Sequence, residues 1–250
     1  MLRFAGVGVV LLAACSGVLA QDQQRVTSPD GQMEFRLFLD EPEPGAPFRL
    51  AYQVRYRGKP LINTSFLGLL IHNQEPALGE NLGLMSAKAS SSKQYNTLVA
   101  EYMQNGSLGR RINVEVRAYD DGLAFRYVVP ESTPLKPMLL ENELTEFALA
   151  EDAEAVSRIS SGSTVPLPFV VEQRGVGWLA IYDAPGSTYP RMYLGREEGN
   201  ILISRLPPGR DESAVAWESN TPVTCPWRVL AIGDTRASVT NLKLINSLNP

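Results

Sequence analysis

The sequence predicts an all-β fold, a large sandwich of two antiparallel sheets. Three observations carry this expectation. Short segments with a period-two alternation of apolar and polar residues recur along the chain, separated by turn signals roughly every eight to twelve positions. No amphipathic helical pattern of ten or more residues occurs beyond the first twenty. With 250 residues, 18 Pro and 20 Gly, the chain has the length for a dozen or more strands and the punctuation to separate them. The length suits one large all-β domain or two small ones; residues 21–250 are read as one.

Taken in order, the first twenty residues read as an export signal. Arg3 supplies a positive start, and residues 5–14 form an apolar stretch too short to span a bilayer. Two processing sites are visible. Val18-Leu19-Ala20 before Gln21 fits ordinary signal peptidase. Leu12-Ala13-Ala14-Cys15 is similar to a bacterial lipobox, which would lipidate Cys15 and anchor the chain to the outer membrane. Either route places the mature chain outside the cytoplasm, in the periplasm or the extracellular space.

Strand-like sequence follows. Met33, Phe35, Leu37 and Leu39 share one face of a strand that starts after the turn at residues 27–31. The Pro-rich stretch 41–47 is a loop. Residues 48–57 form a second strand, ended by Gly58-Lys59-Pro60. Residues 61–71 are apolar, with Gly68 marking a bulge. Residues 75–92 show no clear period and read as a long connection; residues 94–104 read as a strand turned by Asn105-Gly106.

Residues 117–130 then give the strongest local signal. Ile112, Val114 and Val116 alternate before Asp120-Asp121-Gly122, and Leu123, Phe125, Tyr127 and Val129 share a face after it. Asp-Gly tolerates the positive φ that both central residues of a tight hairpin require. Pro130 ends the ladder because it has no N–H to donate. Further strands are expected at residues 139–149, 166–172, 177–182, 192–194, 201–206, 227–232 and 237–244, with a short helix within 151–158.

Composition excludes several chemistries. The net charge of −4 is small and the basic residues are scattered, which argues against nucleic acid as a partner. One His and two Cys exclude a His/Cys zinc cluster and leave a Ser-His-Asp triad to rest on His72 alone. His72 follows an apolar run and reads as a strand-end residue. Cys225 lacks a partner unless Cys15 is retained.

Three stretches can carry chemistry. Glu141, Glu143 and Glu146 are the densest acidic cluster among 27 acids, and glycoside hydrolysis uses two carboxylates about 5 to 10 Å apart. An exposed polar strand face explains the same pattern. In the second stretch, an apolar strand delivers Asp183 to a loop rich in turn residues, with Tyr182 and Tyr189 on either side. There a carboxylate can ligate calcium or accept bonds from sugar hydroxyls while aromatics stack on the sugar; a turn cap is the plainer alternative. The third is Trp227-Arg228, either a pocket wall or a core Trp under a polar Arg lid.

Together these stretches resemble the N-terminal domain of glycoside hydrolase family 97, the α-glucosidases and α-galactosidases typified by starch-utilisation enzymes of gut Bacteroidetes. The segments that carry the resemblance are Thr27-Ser28-Pro29-Asp30-Gly31, Ser65-Phe66-Leu67-Gly68-Leu69, the hairpin from Arg117 to Tyr127, residues 143–147, Pro226-Trp227-Arg228-Val229-Leu230 and Leu248-Asn249-Pro250. They stand in the family's order, and the hairpin is the most specific. The resemblance implies a β-super-sandwich like that of galactose mutarotase, followed in the family by a (β/α)8 barrel that holds the catalytic acid and the base or nucleophile. The N-terminal domain supplies part of the pocket wall and one glutamate ligand to a catalytic calcium, at the position of Asp183 in this sequence. The change to Asp keeps the charge and shortens the arm by one methylene. The family's barrel would begin where residues 248–250 stand. The implied role is therefore a carbohydrate-binding module that docks a barrel and is not hydrolytic alone, with calcium weak or absent outside a complete site. The alternative is one part of a split α-glycosidase whose barrel comes from a separate chain. A structural remnant is a third reading.

Overall fold

The computed structural model describes residues 23–106, 109–151, 153–184, 188–210, 213–241 and 243–248. The expected export signal with Cys15, residues Pro185, Gly186 and Ser187, and residues Asn249 and Pro250 lie outside the described residues.

Along the chain the first strands are β1 (Gln24–Thr27), β2 (Met33–Asp40), β3 (Arg49–Tyr56), β4 (Lys59–Phe66), β5 (Leu69–Ile71), β6 (Gln74–Leu78) and β7 (Leu82–Ser91). They are followed by β8 (Asn96–Gln104), β9 (Arg111–Tyr119), β10 (Gly122–Val129), β11 (Met138–Glu143), β12 (Glu146–Ala148) and the short helix α1 (Glu154–Ser157). Then come β13 (Thr164–Pro166), β14 (Phe169–Gln173), β15 (Gly177–Asp183), β16 (Tyr193–Arg196) and β17 (Ile201–Arg205). The chain closes with β18 (Trp217–Ser219), β19 (Val223–Thr224), β20 (Arg228–Gly233), α2 (Arg236–Thr240) and α3 (Lys243–Leu248).

These strands form an all-β sandwich built from four antiparallel sheets. The largest has the order β14-β15-β20-β10-β9-β8-β7, with β19 also pairing to β10. The other three are β1-β2-β3-β4, β18-β11-β5-β6 and β12-β17-β16-β13. All four contribute to one contiguous core, which includes Phe35 and Leu37, Leu69 and Leu140, Phe147 and Leu202, and Leu123 and Phe125. An aromatic trio joins the first sheet to the large one: Phe35 stacks on Tyr52 at 5.2 Å, and both rings meet Phe125, at 5.7 and 5.2 Å.

The alternation in β2 is realised as expected, with Met33, Phe35 and Leu37 buried and the residues between them half-buried. The central hairpin is present, but its turn differs in one respect. Tyr119 pairs with Gly122, so the two loop residues are Asp120 and Asp121, and neither has positive φ. Gly122 instead opens β10. A β-carbon there would collide with the Leu230 carbonyl oxygen and lie 2.7 Å from Leu244 Cδ2. The glycine is needed for close approach of β20 and α3. The positive φ expected of a tight hairpin occurs at Arg57-Gly58, between β3 and β4.

Other expectations are corrected. Residues 75–92 are not one long connection: they hold most of β6 and all of β7. Among the described residues strand β7 pairs only with β8 and lies at the sheet edge, so half of its residues are exposed, one is buried, and no burial period is left to read. Residues 61–71 divide at Leu67-Gly68, where the chain leaves β4 and joins a second sheet through β5. Residues 139–149 divide likewise into β11 and β12. In place of the strand expected at residues 237–244, residues 237–240 belong to α2 and residues 243 and 244 to α3. The Thr235 side chain accepts from Ser238 N while the Ser238 side chain accepts from Thr235 N, a capping box that starts α2.

Helices α2 and α3 lie over the outer face of the large sheet. Val239, Leu244 and Leu248 pack with Ala124, Ala180, Val229 and Ala231 in a second apolar cluster. The small strand residues let the helices sit close. Replacing Gly122 with Ala is expected to destabilise the fold by about 1–3 kcal/mol, the cost of overpacking. Urea unfolding followed by tryptophan fluorescence checks this.

Candidate functional site

Strand β15 sorts the candidate residues by period two. Leu179 and Ile181 belong to the main core, while Ala180 and Tyr182 belong to the outer cluster. Asp183 therefore follows Ile181 onto the inner face, and Tyr182 points the other way. The Tyr182 hydroxyl donates to the Val239 carbonyl at 2.8 Å, which fastens α2 to the sheet. Burial raises its pKa. Tyr182 and Asp183, adjacent in sequence, are thus not brought together.

Asp183 ends β15 in register with Arg228 of β20. It is half-buried, and its Oδ2 accepts from Met192 N at 3.2 Å. The carboxylate thereby ties Met192 to the end of β15. Among the described residues no group of three or more His, Cys, Asp and Glu is placed to hold a metal ion. Calcium takes six to eight oxygens. Asp183 brings one carboxylate, whose Oδ2 is already engaged by a backbone N–H.

Tyr189 lies beyond that loop and is buried. Its hydroxyl donates to Glu143 Oε1 at 2.7 Å, and its ring meets Trp217 at 4.9 Å. Arg228 sits over the same ring at 5.7 Å. Asp183 and Tyr189 therefore both neighbour Arg228, one through strand register and one through ring contact.

Arg228 is the feature that sequence reasoning missed. It is not a polar lid: it is fully buried, as is its partner Glu143. Arg228 Nε donates to Glu143 Oε2 at 3.0 Å, and Nη2 donates to Oε1, a bidentate pair. Thr145 Oγ1 donates to Glu143 Oε2 at 3.2 Å, and the Thr145 and Tyr127 hydroxyls are 2.7 Å apart. Ser204 Oγ donates to the Glu143 carbonyl at 2.7 Å. Arg228 Nη1 finds no acceptor among the described residues. Burial works against the guanidinium charge, but the carboxylate and its bonds hold the Arg228 pKa above its ordinary value. Burial, then the nearby Glu143 carboxylate, push the Cys225 thiol up to about 12.

The acidic cluster is thus not one exposed face. A register shift between Leu140 and Asn142 breaks the alternation and turns Glu143 inward. Glu141 instead meets His72, with Oε1 2.5 Å from Nδ1, at the end of β5. Glu146 Oε2 accepts from Phe66 N at 3.1 Å. Three glutamates close in sequence serve three separate structural contacts. Trp227 is core, as its plainer reading held, with the guanidinium groups of Arg117 and Arg126 over its ring at 4.7 and 4.3 Å.

With this geometry in view, the chain matches one family along nearly its whole length: the profile described as Glycosyl-hydrolase 97 N-terminal covers residues 26–158 and 153–250. The chain belongs to glycoside hydrolase family 97, as its N-terminal domain. A retaining alpha-galactosidase of Bacteroides thetaiotaomicron is 21% identical over 79% of this chain, and the chain spans 34% of that relative's length. A family 97 enzyme of Pseudoalteromonas sp. strain K8, solved in complex with acarbose, superposes with a TM-score of 0.75 at 20% identity, over 91% of this chain and 38% of that one. A beta-arabinopyranosidase superposes at 0.69 and 20% identity, over 86% of this chain and 40% of that one. At these identities the superpositions establish the shared fold of the family 97 N-terminal domain.

Two outcomes are expected. Glu143→Gln or Arg228→Met alone should destabilise the domain by about 3–5 kcal/mol, because each strands its partner's charge in the core. The double variant Glu143→Leu with Arg228→Met should recover much of that loss in urea unfolding. The second outcome concerns alkaline pH. The folded state holds the Cys225 proton up to about 12, whereas an exposed thiol releases it near its ordinary 9.0. The unfolded state therefore loses protons first as pH rises. The thiol's contribution is full below pH 9 and is lost as pH climbs from 9 toward 12, at up to about 1.4 kcal/mol per unit. Urea midpoints measured across this window should fall, and Cys225→Ala should flatten the part between 9 and 10.

Proposed function

We propose that this chain shapes one wall of a family 97 α-glycosidase active site, binds carbohydrate there and docks the catalytic barrel, without hydrolysing glycosides by itself. The match to the family's N-terminal domain along nearly the whole chain carries this reading. The 34% coverage of the galactosidase relative leaves ample length for a barrel in proteins of this kind. The barrel can follow on the same polypeptide or come from a separate chain. In either arrangement the substrate is an α-glucoside or α-galactoside, in keeping with the alpha-galactosidase and the acarbose and panose complexes among the relatives.

Asp183 is the proposed contact with the chemistry. It is the carboxylate that a strand end delivers to a loop mouth, and it stands where the family resemblance puts a calcium ligand. On this chain it offers one donor, so the remaining oxygens of a calcium site must come from the barrel. Tyr189 supports the same wall from beneath through Glu143 and Arg228. Tyr182 acts at a distance, by holding α2 in place. The proposed location is extracytoplasmic, either periplasmic or secreted, with lipidation of Cys15 as the anchored variant.

The test uses the chain alone and combined with a family 97 barrel. The chain alone should give no hydrolysis of an aryl α-glucoside or α-galactoside that scales with protein and survives repurification. In the complete enzyme Asp183→Ala should lower calcium affinity or activity by about 10- to 100-fold or more, with Asp183→Glu retaining most of it. Full calcium-dependent activity in Asp183→Ala would remove Asp183 from the site.

A further inference from the structure

A cavity of about 520 Å³ opens at the tip of the central hairpin, on the outer side of the large sheet. It is lined by Lys93 and Tyr95 from the β7–β8 connection, Tyr119, Asp120 and Asp121 from the hairpin, and Lys243 from α3, among others. Asp183 lies three strands away across the sheet, at the opposite end of the β10–β20 pairing and on the inner face. The two places are separate.

Several features mark this cavity as more than a surface dimple. Tyr95 and Tyr119 form a tilted pair with ring centres 4.9 Å apart. Arg117 sits over the Tyr95 ring at 5.2 Å and braces it. Asp120 Oδ1 accepts from Asp30 N at 2.9 Å, and the Asp121 carbonyl accepts from Ile232 N at 3.1 Å, so the hairpin tip is tied to both its neighbours. The Tyr119 hydroxyl is buried and has no hydrogen-bond partner among the described residues. A buried phenol normally has one.

We infer that this cavity is a second carbohydrate site, for a neutral sugar. Its volume falls within the range of small-ligand sites, roughly 300 to 1,000 Å³. The aromatic pair supplies an apolar surface for the C–H face of a pyranose. Two carboxylates accept from sugar hydroxyls, and two ammonium groups donate to them. Those four charges cancel, which favours a hydroxyl-rich neutral ligand over an anion. The unmet Tyr119 hydroxyl gains a partner when the cavity fills. The site would hold a glycan on the module without engaging the catalytic pocket.

The experiment titrates the full chain with maltose, read by calorimetry and by NMR shifts, with inorganic phosphate as the charged control. Saturable millimolar binding of maltose is expected, and none of phosphate. Tyr119→Phe, which removes one oxygen, should weaken maltose about 5-fold. Tyr95→Ala should weaken it about 3- to 10-fold. Ser247→Trp, on the exposed rim helix, should block binding without touching either ring. Asp183→Ala should leave it unchanged. No saturation by about 50 mM maltose overturns the inference. So does binding that survives all three cavity variants, or phosphate competing with maltose. Maltose binding lost only in Asp183→Ala would place the sugar at the proposed active-site wall and not here.

Discussion

Two opposite charges buried away from solvent organise this domain. Removing an ion from water costs several kcal/mol even after relaxation, so a buried pair persists only where geometry and further hydrogen bonds offset that cost. Glu143 and Arg228 meet the condition by drawing on several parts of the fold. Glu143 ends a strand of one small sheet, Arg228 starts the inner strand β20 of the large sheet, and Ser204 reaches in from a third. Tyr189 and Thr145 take up the remaining carboxylate capacity. The fourth sheet is joined differently, through the Phe35, Tyr52 and Phe125 rings and through the Tyr52 hydroxyl on the Glu146 carbonyl at 2.7 Å. A one-residue slip of β20 would carry Arg228 to the outer face and leave Glu143 unpaired. The pair therefore specifies register as well as holding the sheets together.

The same two-sided geometry explains how far the sequence could be read. Alternation in β2, β9 and β10 was visible because each has one apolar face turned to the core. Strand β7 was invisible because an edge strand lacks that contrast. Glu143 was misjudged because a single register shift inverts the side to which every later residue points, and no residue type in the stretch signals it. Arg228 followed from the same error: without a buried glutamate there was no reason to bury an arginine. The closing helices were missed because five and six residues are too few for a helical period to appear. Their evidence lay in the Thr235 cap and in the Ala and Gly positions of the facing strands.

At the candidate site the sequence grouped Tyr182, Asp183 and Tyr189. Adjacent residues in a strand cannot share a face. The strand delivers the carboxylate to one side of the large sheet and spends the neighbouring tyrosine on the other. The large sheet thus presents two different faces: an inner side, where Asp183 neighbours the buried ion pair, and an outer side, where short helices and the hairpin tip enclose a different surface.

The position of β20 also bears on how the domain is made. Strand β20 lies between β15 and β10, yet among the described strands it comes last in chain order. Until the chain has grown past Gly233, the large sheet exists only as two fragments, β7 to β10 and β14 with β15, each with an open edge. The arginine that completes the core arrives on that same strand. Sheet closure and charge neutralisation are therefore one event, and a nascent chain that stops short of Arg228 carries both an unmet glutamate and two edges open to mispairing.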